Sequence, residues 1–97
     1  MTPAEYLKNH GISETTASVG FGWVWNDAVI TIPVYDRDSK LLFCRYRHME
    51  GDAKFTADAG SHPTLYPAYK IGREKTLYLC EGEPDCVKLW QEGIPAV

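Results

Sequence analysis

The chain has 97 residues, of which 44% are hydrophobic and 24% charged, and its formal net charge is −3. These values are typical of one small globular domain with a thin margin of stability. The sequence contains neither a long uncharged apolar run nor a signal-peptide hydrophobic region, which predicts no membrane span and a cytoplasmic location. The weak negative charge does not indicate a nucleic-acid binder, although basic residues can still gather on one face.

Two short helices are predicted at the start of the chain. In the first, Thr2 is the N-cap, Pro3 is the first helical residue, Glu5 completes a capping box and Gly11 ends the helix. Residues 13–20 repeat this arrangement between a serine cap and a final glycine.

Residues 21–49 are rich in aromatic and β-branched side chains. An Asn-Asp pair and an Asp-Arg-Asp-Ser run divide this stretch, so the simplest prediction is a three-stranded antiparallel meander. In the second strand, alternation places Ile30, Ile32 and Val34 on one face. Pro33 interrupts this strand and suggests an edge position or a bulge there.

The third strand carries two arginines. Its residues alternate between two faces, with Leu42, Cys44 and Tyr46 on one and Phe43, Arg45 and Arg47 on the other. The two guanidinium groups therefore point the same way. Residues 50–75 have little periodicity and predict an irregular connection, with short extended pieces near Phe55 and at residues 65–66.

The C-terminal residues predict a β-α-β unit. The run TLYLC at residues 76–80 has the pattern of a buried strand, and residues 83–94 have that of a helix with Pro84 at its start and Gly93 at its end. The inward side of the helix is expected to carry Cys86, Val87, Leu89 and Trp90. Such a crossover makes the two strands parallel. Because GIPAV is a core-type strand with no following turn, we expect the chain to be a piece of a longer protein.

Cysteines and histidines form no metal-ligand pattern. The chain has three of each, namely Cys44, Cys80, Cys86, His10, His48 and His62. No Cys-x-x-Cys pair is present, and an odd number of cysteines argues against a disulfide framework. We expect three reduced, mostly buried thiols, and histidines that lie at the surface or make hydrogen bonds rather than bind zinc.

Three carboxylates, those of Glu81, Glu83 and Asp85, lie between the first strand and the helix of the β-α-β unit. Binding sites in open α/β sheets form at this position, and clustered carboxylates suit Mg²⁺, which adds water and phosphate oxygens. The alternative is that these carboxylates serve capping and the helix dipole alone. Capping can explain Glu83 and Asp85, and we expect Glu83 to be a cap. It does not explain Glu81, which directly follows an apolar strand.

These residues resemble a known family. The run TLYLCEGEPDCVKLWQEGIPAV, residues 76–97, looks like the start of a Toprim domain: a strand, Glu-Gly, an acidic residue that opens a helix, and a glycine before the next strand. Residues 30–55 are similar to the subdomain that precedes Toprim in bacterial and phage primases, and LYP at residues 65–67 matches the short motif that usually follows. Together these pieces resemble DnaG-type DNA primases and the primase-helicases of phages.

The resemblance implies an α+β fold with short N-terminal helices, an antiparallel β meander and then the first β-α-β of a Toprim domain. Residues 1–75 would form the subdomain that precedes Toprim, and residues 76–97 the incomplete start of Toprim. The parent protein would be a nucleotidyltransferase, a DNA-directed RNA polymerase that synthesises RNA primers. Its implied partners are a single-stranded DNA template, nucleoside triphosphates and a replicative helicase, with no membrane.

The resemblance also implies roles for individual residues. Glu81 would be the catalytic glutamate and, with Asp85, would bind Mg²⁺ or Mn²⁺. Arg47 and Lys54 match basic positions that in primases face the template or the nucleotide phosphates. Arg45 is a further candidate for that nucleic-acid or nucleotide contact, although a solvated strand residue is the simpler interpretation.

A Toprim domain also needs an Asp-x-Asp motif on a later strand, and none follows Glu81 in this sequence. We therefore expect these residues to be inactive alone and to bind metal weakly or not at all.

Two alternatives remain open. One is another Toprim enzyme, a nuclease or topoisomerase, against which the primase-like order of the upstream residues argues. The other is a non-catalytic module that binds single-stranded nucleic acid, in which Trp23, Trp25 and Tyr46 stack bases and Arg45 and Arg47 hold phosphates. Core packing is the competing explanation for at least one of the two tryptophans.

Overall fold

The computed structural model of the chain describes residues 1–62, 64–72 and 76–97. They form an α+β domain, as predicted at that coarse level, with a four-stranded antiparallel sheet and few helices. No helix in the described ranges is long and apolar enough to cross a membrane. The predicted division between residues 75 and 76 adjoins residues 73–75, which lie outside the described ranges, and it stays a prediction.

The first helix, α1, spans Pro3–Asn9 and begins as predicted. Thr2 and Glu5 form a capping box, because the side chain of each accepts a hydrogen bond from the backbone N–H of the other at 3.1 Å. Gly11 follows the helix with φ at 71°, a left-handed conformation that glycine adopts at little cost.

The second predicted helix is a short π-helical turn at Thr16–Gly20. The Ser13 hydroxyl accepts a hydrogen bond from the backbone N–H of Thr16 at 3.0 Å, but the N-cap of this turn is Thr15, whose side chain makes no capping hydrogen bond. A single turn of 3₁₀ helix at Ala68–Lys70 lies later in the chain, in the irregular connection.

The sheet has the strand order β1-β2-β3-β4, and all its neighbours are antiparallel. The strands are β1 at Val24–Trp25, β2 at Val29–Tyr35, β3 at Leu41–His48 and β4 at Phe55–Ala57. The first three strands are the predicted meander, and β4 is the extended piece predicted near Phe55. The second extended piece, predicted at residues 65–66, is not a strand.

Strand β2 forms the buried centre of the sheet. Ile30, Ile32 and Val34 are all buried and share the inner face, as the alternation predicted. In the described residues β1 pairs with β2 only as far as Thr31, so Pro33 lies beyond β1 where a missing N–H costs nothing. A register irregularity follows directly, after Val34. Strand β2 itself lies between β1 and β3, so the predicted edge position holds only for the part of β2 beyond β1, and the bulge predicted at Pro33 lies between Val34 and Tyr35 instead.

The core lies between the inner face of the sheet, α1 and the C-terminal helix α2, which spans Glu83–Gln91. Its buried side chains are Tyr6, Leu7, Ile12, Ala17, Phe21, Trp23, Ile30, Ile32 and Val87. Trp23 is fully buried, and its Nε1–H donates to the hydroxyl of Tyr66 at 2.7 Å. Trp23 is therefore a core residue. Trp25 is half-buried against the same cluster.

The helix α2 lies between two segments that pair in parallel, which is the direction predicted for the β-α-β unit, although the pairing is a single bridge and neither segment is a strand. Tyr78 and Ala96 form a parallel bridge, and the backbone N–H of Cys80 donates to the Val97 carbonyl at 2.9 Å. We call residues 78–80 and 95–97 the parallel pair. Within α2, two of the predicted inward residues, at positions 86 and 87, are buried, and those at 89 and 90 are half-buried.

The prediction that residues 76–80 form a buried strand is wrong. Tyr78 is 57% exposed and Leu79 is 89% exposed. In the described residues this segment pairs only with residues 95–97, so one narrow neighbour shields it. Its apolar residues indicated a core strand, but burial also requires a second strand or a covering layer, which the segment does not have here.

Candidate functional site

The two arginines of β3 lie on the inner face of the sheet, since each is paired with a buried isoleucine of β2. Both guanidinium groups point the same way, as predicted. The Cζ atom of Arg45 lies 5.1 Å, and that of Arg47 lies 5.5 Å, from the centroid of the Phe55 ring. Arg47 also lies 4.9 Å from the centroid of the Tyr6 ring. Cation–π contacts of this kind are worth about 0.5–2 kcal/mol, so both arginines are held in place.

Arg45 and Glu83 form an ion pair that joins β3 to α2. Glu83 is 6% exposed, and among the described residues it is the one charged residue that is buried. The prediction that Glu83 caps the helix is wrong, because the N-cap is Gly82 and the Glu83 carboxylate turns towards the sheet. The simpler interpretation of Arg45 as a solvated residue also fails, since a buried carboxylate requires a partner.

Glu81 and Asp85 are both exposed and line one groove of about 350 Å³. We call it the acidic groove. Its other lining residues are Tyr6, His10, Arg45, Phe55, Gly82, Glu83 and Pro84. Arg47 stands beside this groove through its contact with Tyr6. Burial raises the pKa of the Tyr6 hydroxyl, while the nearby Arg47 lowers it and Asp85 raises it. A cation, Arg47, and an anion, Asp85, therefore both lie close enough to Tyr6 to affect its pKa.

Two further grooves adjoin the same ion pair. One of about 260 Å³ lies between residues 64–66 and 79–83, and one of about 340 Å³ reaches Val34 and Phe43 on the inner face of the sheet. Arg45 and Glu83 line both of these grooves and the acidic groove as well. The ion pair therefore stands at the junction of three openings.

Lys54 is placed away from the other candidate residues. It is exposed after the turn that follows β3, and its backbone carbonyl accepts a hydrogen bond from the N–H of His48 at 2.8 Å. Its side chain does not line the three grooves. The structure thus brings Glu81, Asp85 and Arg45 together, sets Arg47 beside them and leaves Lys54 outside. The roles of all five residues stay predictions.

The aromatic part of the acidic groove was missed by the sequence analysis. The rings of Tyr6 and His10 lie 4.4 Å apart on one side of α1, and Phe55 lies across the groove on β4. The four-residue spacing of Tyr6 and His10 was a usable signal, because residues at i and i+4 face the same way on a helix. Phe55 was predicted to lie in an extended segment.

A metal site at the acidic turn would depend on two carboxylates. Glu81 and Asp85 share one groove and are open to water, which suits Mg²⁺, an ion that typically takes one or two carboxylates together with water and phosphate oxygens. In residues 1–62, 64–72 and 76–97, no group of three or more histidine, cysteine, aspartate or glutamate side chains could hold a metal ion. The residues present therefore fit part of such a site.

The aromatic residues proposed to stack bases in a binding module are not available in the expected way. Trp23 is fully buried. Tyr46 lies on the opposite face of β3 from the two arginines, and its hydroxyl donates to Asp58 at 2.7 Å. This hydrogen bond is the main reason why the pKa of Tyr46 is raised to about 12. Any base stacking near the arginines would therefore fall to Phe55 and His10, which are exposed, or to the half-buried Trp25, because Tyr6 is buried in the core.

Known protein families, curated proteins and solved structures were each compared with the chain, and none of them matches. The resemblance to Toprim primases accordingly depends on the motif residues alone.

Proposed function

We propose that the chain is part of a DNA primase of the Toprim class, an RNA polymerase that synthesises primers on single-stranded DNA. One observation carries the proposal: Glu81 and Asp85, where the parallel pair leads into α2, share a groove with Arg45. Nucleotidyl transfer requires carboxylates that hold metal ions and cations that bind phosphate in one place. The described groove contains both kinds of group.

Each side chain then has a distinct part. Glu81 and Asp85 would hold Mg²⁺ or Mn²⁺, which when bound neutralises phosphate charge and polarises the reacting oxygens. Arg47 and Arg45 would bind phosphates of the template or of the incoming nucleotide. Lys54, outside the grooves, would contact only a ligand long enough to leave them.

Manganese binding tests the metal part of the proposal. Added Mn²⁺ should broaden the backbone amide NMR signals of residues 81–85 first, because a paramagnetic ion acts over short distances. The double variant Glu81→Gln, Asp85→Asn should abolish this broadening. Glu50→Gln, which removes an exposed carboxylate that does not line the grooves, should leave it unchanged. Absence of broadening at residues 81–85 even at high Mn²⁺ would contradict the metal site.

Binding of single-stranded DNA tests the cationic part. Arg47→Ala should weaken the binding of a labelled oligothymidylate and reduce its salt dependence by about one phosphate contact. Arg37→Ala removes the same charge from the exposed turn between β2 and β3 and should have little effect. Fluorescence anisotropy at several salt concentrations measures both. Equal losses in the two variants would mean that only net charge matters.

Primer synthesis by the chain itself is the third test. We expect no template-dependent oligoribonucleotide product from these 97 residues, because the sequence has no Asp-x-Asp motif after Glu81. A product in a reaction with single-stranded DNA, nucleoside triphosphates and Mg²⁺ would show that this expectation is wrong. The matched control is the Glu81→Gln variant.

The second candidate function is a non-catalytic module that binds single-stranded nucleic acid. It is favoured by the Phe55 ring, which is partly exposed and lies against both Arg45 and Arg47. Aromatic rings flanked by guanidinium groups are typical of surfaces that stack bases and hold the backbone. Such a module would bind DNA equally well with a metal chelator present, and Glu81→Gln would not impair binding. A Toprim nuclease or topoisomerase would share the acidic turn, and the upstream residues favour the primase.

A further inference from the structure

We propose that Glu83 is a positioning residue: its buried carboxylate fixes the guanidinium of Arg45 so that the remaining N–H groups face the grooves and bind a phosphate of single-stranded nucleic acid. The inference depends on the proposed function, because it concerns the same groove. It adds a role for a residue that was predicted only to cap a helix.

The geometry of Arg45 leaves most of its donors available. A guanidinium group has five N–H donors in one plane. Glu83 accepts from Nη1, and the ring of Phe55 lies against the group at 5.1 Å. Among the described residues Arg45 makes no other hydrogen bond, and its side chain is 36% exposed while that of Glu83 is 7% exposed. The anchor is therefore buried, and the arginine side chain that it holds is partly open to solvent.

The position of the pair explains why an anchor matters. Arg45 lines all three grooves, so a small rotation of its side chain would decide which groove the free donors enter. A fixed arginine also loses less conformational entropy when a phosphate binds, because its planar fork is already oriented. Glu83 supplies this orientation from the first residue of α2, in the same turn as Glu81 and Asp85. The pair thereby sets the spacing between the cationic and acidic sides of the site.

A simple electrostatic effect predicts the opposite result from a positioning effect. Glu83→Gln and Glu50→Gln each remove one negative charge, the second from an exposed residue outside the three grooves, and both would tighten the binding of a polyanion if charge alone mattered. If Glu83 positions Arg45, Glu83→Gln should instead weaken binding about tenfold, although the groove has become more positive. Glu50→Gln should bind at least as tightly as the wild-type chain. The sign of the change therefore separates the two explanations.

The experiment measures the binding of a labelled oligothymidylate by fluorescence anisotropy, with a chelator present so that metal does not contribute. The salt dependence is measured as well, since loss of one phosphate contact lowers the slope by about one unit. Loss of stability alone, in a variant that remains folded, would not lower this slope. Glu83→Asp keeps the charge and should restore part of the affinity.

A second measurement keeps the inference testable if Glu83→Gln does not fold. Arg45→Lys retains the positive charge but loses the fork, and it should bind about tenfold more weakly with a lower salt slope. In the wild-type chain, the side-chain Nε–H signal of Arg45 should be distinct from those of solvated arginines in an NMR spectrum. If the wild-type chain does not bind DNA, the proposed function and the inference both fail. If it binds, and Glu83→Gln or Arg45→Lys binds no more weakly, only the inference fails.

Discussion

Strand β2 and the parallel pair have similar apolar sequences and opposite environments. In β2, Ile30 and Ile32 are fully buried, whereas Leu79 in the parallel pair is 89% exposed. The reason is the number of neighbours. Strand β2 pairs with two strands and has α1 and α2 over its inner face, while residues 78–80 pair with residues 95–97 alone among the described residues. An apolar pattern therefore indicates that a strand can be buried, and its neighbours decide whether it is.

The same contrast divides the candidate site. Arg45 and Arg47 extend from the well-packed antiparallel sheet, whereas Glu81 directly follows residues 78–80 of the largely exposed parallel pair. Binding elements often belong to the less stable parts of a protein, where local opening is easier. The Arg45–Glu83 pair connects these two parts across 38 positions in the sequence. The Arg45–Glu83 ion pair thus joins the acidic residues at the start of α2 to arginines that are held in the well-packed sheet.

Removal of side-chain volume should affect the two regions very differently. Ile30→Ala deletes most of a fully buried side chain and should lower the free energy of unfolding by about 2–5 kcal/mol. Leu79→Ala trims an exposed side chain and should change it by less than about 0.5 kcal/mol. Urea unfolding followed by circular dichroism measures both values. If Ile30→Ala does not fold, Ile30→Val, with an expected loss of about 0.5–1.5 kcal/mol, replaces it. A comparable loss in Leu79→Ala would abolish the contrast.

Local signals were sufficient for the parts of the fold that neighbouring residues determine. The Thr2 capping box formed as predicted, and in the turn after β2 the Asp36 side chain accepts from the N–H groups of Asp38 and Lys40, each at 2.9 Å. Alternation also predicted that Arg45 and Arg47 share a face. These features could be predicted because each depends on residues that lie within about one or two turns of the chain.

Tertiary packing decided the rest. The alternation of residues along β3 could not show which of its faces is the inner one. The apolar Phe43, on the same face as the two arginines, was a hint, and in the structure Phe43 is buried. The partner of Glu83 lies on another element, so no local pattern could reveal that its carboxylate leaves the helix N-terminus for Arg45. Similarly, no local pattern could show that residues 76–80 would lack a covering layer. The fold class was therefore accessible from the sequence, and the ion pair at the centre of the site was not.

The hydrogen bond between Trp23 and Tyr66 should be a sensitive point in the antiparallel region. Tyr66→Phe would leave the Nε1–H of the fully buried Trp23 without its acceptor, and the free energy of unfolding should fall by about 1–3 kcal/mol. Tyr35→Phe is the matched control, because its hydroxyl makes no hydrogen bond among the described residues. The control should change stability by less than about 0.5 kcal/mol. Similar losses in the two variants would refute the importance of the buried donor.

Alkaline pH should lower the free energy of unfolding through two buried groups, the Cys86 thiol and the Tyr66 hydroxyl. Burial, with the Cys80 thiol close by, raises the pKa of Cys86 on α2 to about 12, and burial raises the pKa of Tyr66. In the unfolded chain the thiol ionises near pH 8.5 and the phenol near pH 10, both roughly. The folded state keeps these protons to higher pH, so unfolding releases them. The free energy of unfolding should therefore fall as pH rises, first above about pH 8.5 and more steeply above about pH 10.

Variants assign the two steps of this decline. When urea unfolding is repeated at a series of alkaline pH values, Cys86→Ala should reduce the first step, to which the raised pKa of Cys44 also contributes. Tyr66→Phe should reduce the second step, to which the raised pKa values of Tyr6, Tyr46 and Tyr69 also contribute. Tyr66→Phe also loses stability at neutral pH, so the slopes of the curves are compared rather than their heights. A Cys86→Ala curve as steep as that of the wild-type chain between about pH 8.5 and 10 would show that the thiol is not protected by folding.

The parallel pair should open locally most easily where it contacts α2. The Nε1–H of Trp90 donates to the Ala96 carbonyl at 2.8 Å, and Trp90→Phe would remove this bond at a cost of about 0.5–1.5 kcal/mol. The amides of Tyr78, Cys80 and Val97 donate within the parallel pair, and in the variant they should exchange with solvent up to about tenfold faster. The amides of β2 and β3 serve as the internal control and should keep their rates, because local opening leaves the antiparallel sheet intact. A uniform increase along the chain would mean that both regions open together, and the two would then be one cooperative unit despite their different burial.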